Sequence, residues 1–180
     1  MNNIELAKEA ERLVAQGGTY QQRDCQAFVE LALSRGGITR NWRGSNDMIR
    51  NMVRDVKPLD SNIQIGDIVF WVRHKGKEPQ RYKPGGAGYV KAFDGWDASH
   101  VGIYVGNGKV AESGMGIGVW AITDMRQRGV THYGKHKNIV YTKETADNAT
   151  VSEKSKLDDK IMEIEERLAK IENKLGMGVG

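Results

Sequence analysis

Along the chain, apolar positions recur first at helical spacing and then at strand spacing, and this change of period divides the molecule. Ile4, Ala7, Ala10, Leu13 and Val14 line one face of a predicted helix over residues 3–16, which Gly17 and Gly18 stop. A loop-like Thr19-Tyr20-Gln21-Gln22 follows. A second helix is predicted to open at about Cys25, with Phe28, Val29, Leu31 and Leu33 as its apolar face and Gly36-Gly37 as its end. Met48, Ile49, Met52 and Val53 keep helical spacing over a third segment, residues 45–56, where methionines read as core.

Strand spacing begins at Ile68 to Val72. Val101, Ile103 and Val105 then alternate with His100, Gly102 and Tyr104, and Asn107-Gly108 supplies the hairpin turn. Val119 to Ile122 and Asn138 to Thr142 are the remaining predicted strands, the last closing the sheet. Residues 74–98 form a long basic and aromatic insertion, and long loops in compact domains tend to be functional. It is expected to form part of a substrate groove. Its composition also suits weak nucleic-acid binding, but no nucleic-acid motif accompanies it, and no nucleic-acid partner is assigned.

A third pattern closes the chain. Residues 144–152 are polar and aperiodic, whereas Ile161, Leu168 and Leu175 at heptad position a alternate with Leu157, Ile164 and Ile171 at d. Asp158, Glu165 and Glu172 sit at e, and Lys160, Arg167 and Lys174 sit at g. Parallel packing pairs Lys160 with Glu165 and Arg167 with Glu172 of a neighbour, while antiparallel packing opposes like charges. A parallel homo-oligomer is expected, tetramer before trimer because Leu at a with Ile at d favours higher order. The expected organisation is a domain at 1–143, a linker at 144–156, the coiled-coil helix at 157–175 and a tail at 176–180.

With 180 residues, 39% hydrophobic and 28% charged, the chain has room for one domain with a real core plus this appendage. The start, Met1-Asn2-Asn3-Ile4-Glu5, lacks the basic and apolar runs of a secretory signal, and no stretch is long enough for membrane insertion. Synthesis in the cytoplasm is therefore expected. A single cysteine permits no intrachain disulfide. Residues 157–175 carry six acidic and four basic side chains, which leaves the rest of the chain at +6, a charge suited to anionic polymers.

The candidate chemistry lies in Cys25 and His100. At a helix start, unpaired N–H groups and the positive dipole end favour a thiolate over a thiol. A strand histidine can take the thiol proton and later return one to a leaving amine. Asp24-Cys25-Gln26-Ala27-Phe28-Val29 resembles the Asp-Cys-Ser-Gly-Phe-Val signature of NlpC-type cysteine peptidases. Ser99-His100-Val101-Gly102-Ile103-Tyr104-Val105-Gly106 resembles that family's histidine strand, and Gly66-Asp67-Ile68-Val69-Phe70-Trp71 the strand before it. The three motifs fall in family order within residues 20–142.

The resemblance implies an α+β fold of papain-like type, an antiparallel sheet packed on N-terminal helices. It also implies hydrolysis of peptidoglycan stem peptides, commonly at γ-D-glutamyl bonds. Gln26 and Ala27 stand where the family has Ser and Gly, and Tyr20 stands in for its upstream tyrosine, so Tyr20, Asp24 and Gln26 are the expected substrate-binding positions. The family's third polar residue, which orients the histidine, falls by spacing at Glu112. A two-residue turn at Asn107-Gly108 would place Glu112 on the apolar face and Ser113 with His100. A three-residue loop over Gly106-Asn107-Gly108 instead sets Glu112 opposite Gly102, diagonal to His100, which avoids burying a carboxylate against isoleucine. The second register is expected, with Ser113 as the alternative orienting residue.

With Cys25 as nucleophile, His100 as proton carrier and Glu112 as orienting group, the resemblance implies a peptidoglycan hydrolase, and the lack of a secretory signal suggests one of phage type, an endolysin released by a holin. Other readings are an N-acetylmuramoyl-L-alanine amidase or related thiol acyl hydrolase, and a non-catalytic wall-binding or assembly protein. No cofactor or metal is called for. Gly114-Met115-Gly116-Ile117-Gly118 lacks the Lys-Ser/Thr of a phosphate loop, and His132 and His136, spaced like helical metal ligands, have no third ligand.

Overall fold

Helix α1 (Asn3–Gln16) opens on a capping box. Asn2 Oδ1 accepts from the Glu5 backbone N–H at 2.8 Å, and Glu5 Oε2 accepts from the Asn2 N–H at 2.7 Å. Its buried face is Asn3, Leu6, Ala7, Ala10 and Leu13, so Ile4 and Val14 flank the stripe and Leu6 joins it. Helix α2 (Cys25–Arg35) is capped by Asp24, whose Oδ1 accepts from the Ala27 N–H at 2.8 Å. Phe28, Val29, Ala32 and Leu33 bury its inner face. The structure, a computed structural model, describes residues 1–39, 44–74, 76–114 and 116–142.

The third helix is shorter than expected. Helix α3 (Ser45–Asn51) gives way to strand β1 (Val53–Pro58). Met52 and Val53 continue the helical spacing, but pairing of Val53 with His136 and Lys57 with Tyr133 claims the segment for the sheet. Strands β2 (Ile68–His74), β3 (Trp96–Gly106), β4 (Lys109–Ser113) and β5 (Trp120–Asp124) follow. Helix α4 (Met125–Arg128) and strand β6 (His132–His136) end the described part of the sheet. The strand order is β1-β6-β2-β3-β4-β5, antiparallel throughout.

The closing strand expected at residues 138–142 is thus β6, some residues earlier. Residues 138–142 run back along the N-terminus instead, where the Asn3 N–H donates to the Val140 carbonyl and Asn3 Oδ1 accepts from the Thr142 N–H. In β6 the two histidines stand four strand residues apart, a span of about 13 Å. That separation is too great for the i, i+4 ligand spacing that a helix would have provided.

The sheet divides its apolar residues between two faces. Ile68, Phe70, Val72, Val101, Ile103 and Ala111 pack on Leu6, Ala10, Leu13, Phe28, Leu33, Met48 and Ile49 of the three helices. Val69, Val110, Met125, Val130 and Tyr133 form a smaller cluster on the other face. This is the α+β arrangement anticipated, an antiparallel sheet against N-terminal helices.

The hairpin turn is a correction in mechanism. Gly106 pairs with Lys109, so the loop has two residues, Asn107 and Gly108, both at positive φ (50° and 70°) as a type I′ turn requires. A register shift between Tyr104 and Gly106 then adds one residue to β3. Ile103 consequently faces Ala111, which puts Glu112 opposite Gly102. The expected register arises from a tight turn plus a bulge rather than from a three-residue loop.

The insertion is ordered by two short 3-10 turns, Gln80–Tyr82 and Lys91–Phe93. Buried Arg50 of α3 donates to the carbonyls of Phe93 and Trp96 and packs over the Tyr82 ring. The described residues up to Thr142 form one compact unit, Met1–Thr142. The expected linker, coiled-coil helix and tail lie outside the described residues.

Candidate active site

Cys25 is the first residue of α2, buried at 8% exposure, and its thiol is near enough to His100 to help raise the imidazole pKa. The loop before it is tied down from both sides. Ser113 Oγ donates to the Arg23 carbonyl at 2.7 Å, and the Tyr20 N–H donates to the Gly118 carbonyl at 3.0 Å. The Trp120 N–H donates to the Gly18 carbonyl, and a Cβ on Gly18 would stand 2.5 Å from the Trp120 ring, so only glycine fits there. Ser113, the alternative orienting residue, is thereby committed to the cysteine loop and not to His100.

His100 lies beside a bulge in β3, between the Trp71–His100 and Val72–Ala98 pairs. Its ring meets the Trp71 ring edge-on at 4.6 Å between centroids. The Trp71 indole N–H in turn donates to the Arg128 carbonyl at 2.6 Å. His100 Nε2 and Glu112 Oε2 are 2.6 Å apart. An ionised carboxylate only accepts, so Nε2 donates and Nδ1 is the ring nitrogen left for the thiol.

Glu112 is fully buried and every one of its lone-pair directions is in use. Thr123 Oγ1 and Arg128 Nε donate to Oε1, the latter at 2.8 Å, and Arg128 Nη2 donates to Oε2 at 3.1 Å. Burial pushes the Glu112 pKa up, but hydrogen bonds from His100, Arg128 and Thr123 overcome it and hold the carboxyl at about 2. Burial likewise pulls His100 down, and the Cys25 and Glu112 hydrogen bonds and charges overcome it, raising the imidazole to about 9. At neutral pH the ring is an imidazolium held between a sulfur and a carboxylate.

The expected substrate-contacting residues have structural partners of their own. Asp24 is the helix cap, and Gln26 Oε1 accepts from the Gly44 N–H at 2.9 Å. Tyr20 stands close enough to Cys25 and Asp24 for both charges to add to burial in raising its phenol pKa. In the upstream motif, Gly66 lets the Asn3 backbone pass where a Cβ would meet its carbonyl at 2.1 Å. Asp67 Oδ2 accepts from the Gln64 N–H, so that motif is scaffold.

Thr123, Arg128 and Trp71 were absent from the sequence-based site. Trp71 ends the Gly66-Asp67-Ile68-Val69-Phe70-Trp71 motif, which by itself assigns it no role. Arg128 sits on a single helical turn whose spacing from Glu112 carries no periodic signal. Among the described residues there is no cluster of three or more His, Cys, Asp or Glu able to hold a metal ion. No helix among them is long and apolar enough to cross a membrane.

No family model and no curated protein matches the chain. Among solved structures it is similar to the P60 domain of an antigen from M. avium subspecies paratuberculosis, at 22% identity and a TM-score of 0.39. The match covers 62% of this chain and 63% of that one.

Proposed function

We propose that the chain is a cysteine-dependent amide hydrolase acting on the stem peptides of bacterial peptidoglycan. The observation that carries the chemistry is a thiol at a helix start joined through one imidazole to a buried, ionised carboxylate. Cys25 Sγ attacks the scissile carbonyl carbon. The C–N bond breaks as His100 passes its proton to the departing amine, leaving an acyl-thioester. His100 then takes a proton from water, the resulting hydroxide attacks the thioester, and the thiol leaves with that proton.

Two further features fit this sequence of steps. The Cys25 backbone N–H, at the first helical position, has no acceptor within its own helix and is available as one oxyanion donor; Tyr20 is a weaker second. The Glu112 carboxylate stabilises the imidazolium while Trp71 fixes its plane. The substrate class rests on the three ordered sequence motifs and on the +6 charge outside residues 157–175, which draws the domain to anionic walls. A coiled coil at 157–175 would add avidity by holding several catalytic heads together.

The test is digestion of purified sacculi by the native chain and by Cys25→Ala, with released fragments identified by mass spectrometry. Fragments that appear only with the thiol present support the proposal. Their new ends distinguish a γ-D-glutamyl cut from an N-acetylmuramoyl-L-alanine cut. Intact sacculi of several wall chemotypes with both proteins refute the substrate assignment.

A further inference from the structure

Resting on the cysteine-hydrolase reading, we infer that Arg128 is a positioning and charge-balancing residue for the reaction, acting on His100 through Glu112. The geometry is a fork. Nε and Nη2 of Arg128 reach separate oxygens of Glu112, at 2.8 and 3.1 Å, so the carboxylate plane is fixed with Oε2 aimed at His100 Nε2. The backbone of the same residue accepts from Trp71, whose ring meets the imidazole edge-on. One residue therefore steadies His100 by two routes, its guanidinium through Glu112 and its carbonyl through Trp71.

The charge explains why a fork is needed here. A buried carboxylate 2.6 Å from an imidazolium with no other counter-charge would hold the proton too tightly for transfer to a leaving amine. Arg128 shares that negative charge, so His100 faces a nearly neutral Glu112–Arg128 pair and keeps the strength of a usable acid. The charged groups acting directly on the imidazole are Cys25 from α2 and Glu112 from β4, and Arg128 from α4 acts on Glu112; Tyr20 and Asp24 neighbour the thiol. Trp71 from β2 and Thr123 from β5 contribute neutral contacts.

The test compares Arg128→Met, Glu112→Gln and the double variant in the full chain. Two pH profiles are read: alkylation of Cys25 by iodoacetamide, which needs no substrate, and release of fragments from sacculi. With Arg128→Met the imidazolium is over-stabilised, so the acid limb of alkylation moves down and the basic limb of hydrolysis moves up, each by about one pH unit. The maximal hydrolysis rate falls about tenfold with KM little changed. Glu112→Gln leaves the guanidinium unbalanced and moves both limbs the opposite way. The double variant, again neutral, returns the limbs to near the native positions, which repair of a merely structural defect does not do.

Arg128→Gln is the second neutral replacement should Arg128→Met not fold. Limbs that stay in place, or that move the same way in the Arg128 and Glu112 variants, overturn the inference. Opposed shifts in alkylation without any digestion of sacculi would support the role of Arg128 and refute the peptidoglycan substrate, so the two failures are separable.

Discussion

Replacing Arg50 by Met tests whether the insertion is held by one buried cation. Arg50 is 5% exposed, and its Nη1 donates to the backbone and side-chain oxygens of Asn46 at 3.1 and 2.8 Å. Its Nη2 donates to the carbonyls of Phe93 and Trp96 at 3.2 and 2.7 Å, and the guanidinium lies 4.6 Å from the Tyr82 ring centroid. Burial holds the Arg50 pKa below its ordinary value, while the charges of Tyr82, Glu78, Asp97 and Asp47 act the other way. Four hydrogen bonds at about 1 to 1.5 kcal/mol each give a gross loss of about 5 kcal/mol. Relief of the burial cost of the cation offsets about 2 of these, leaving a destabilisation of about 3 kcal/mol. At about 2 to 4 °C per kcal/mol, the midpoint of thermal unfolding falls by about 10 °C.

The loosening is local first, because Arg50 ties residues 79–96 to α3. Limited trypsin digestion should cut after Lys77, Arg81 and Lys91 under conditions that leave the native chain intact. The effect should reach the site as well, since Asn46 Oδ1 also accepts from the Ala98 N–H and Ser45 Oγ donates to the Ala98 carbonyl, two residues before His100. Slower alkylation of Cys25 in Arg50→Met is the functional readout. A stability loss below about 1 kcal/mol, with the insertion still resistant to trypsin, would refute the reasoning.

Three further outcomes are expected. The imidazole of His100 is raised from 6.5 to about 9, so its stabilisation is complete below pH 6.5 and lost as pH rises through 9. Glu112 is lowered from 4.5 to about 2, so its share is complete above pH 4.5 and lost as pH falls through 2. Native thermal midpoints minus those of Glu112→Gln should therefore plateau between pH 4.5 and 6.5 and shrink on both sides; a pH-independent difference counts against the pair. Ser113→Ala leaves the Arg23 carbonyl without its donor and should cost about 1 to 3 kcal/mol by urea unfolding while slowing Cys25 alkylation; no change in either would show the cysteine loop to be held elsewhere. Sedimentation equilibrium of the full chain should give a tetramer or trimer that Ile164→Lys dissociates with Cys25 reactivity retained, whereas a native monomer would refute the heptad reading.

What was legible in the sequence was local. The ends of α1 and α2 follow from the glycines that stop each helix, within a few residues of what they control. Cys25 at a helix start is a property of one segment and could be read from it. The His100 strand announced itself by alternation, and the choice of Glu112 over Ser113 followed from the cost of burying a carboxylate without a partner. Even there the turn was misjudged, because a bulge between Tyr104 and Gly106 leaves no mark in the spacing of apolar residues.

The sequence by itself thus determined the short-range elements: helices α1 and α2, the hairpin, and the placing of Cys25 at a helix start and His100 on a strand. Tertiary structure decided whatever depends on segments distant along the chain. β1 is a strand only because Val53 finds His136, and the polar, glycine-containing β6 is a strand only because β1 and β2 lie on either side of it. Arg50 holds the insertion across 43 and 46 residues, and Arg128 reaches Glu112 across 16. Pairings of that kind have no period to read. Their free energy comes from desolvated hydrogen bonds and charges brought together by the packed core, and that energy exists only once the chain has folded.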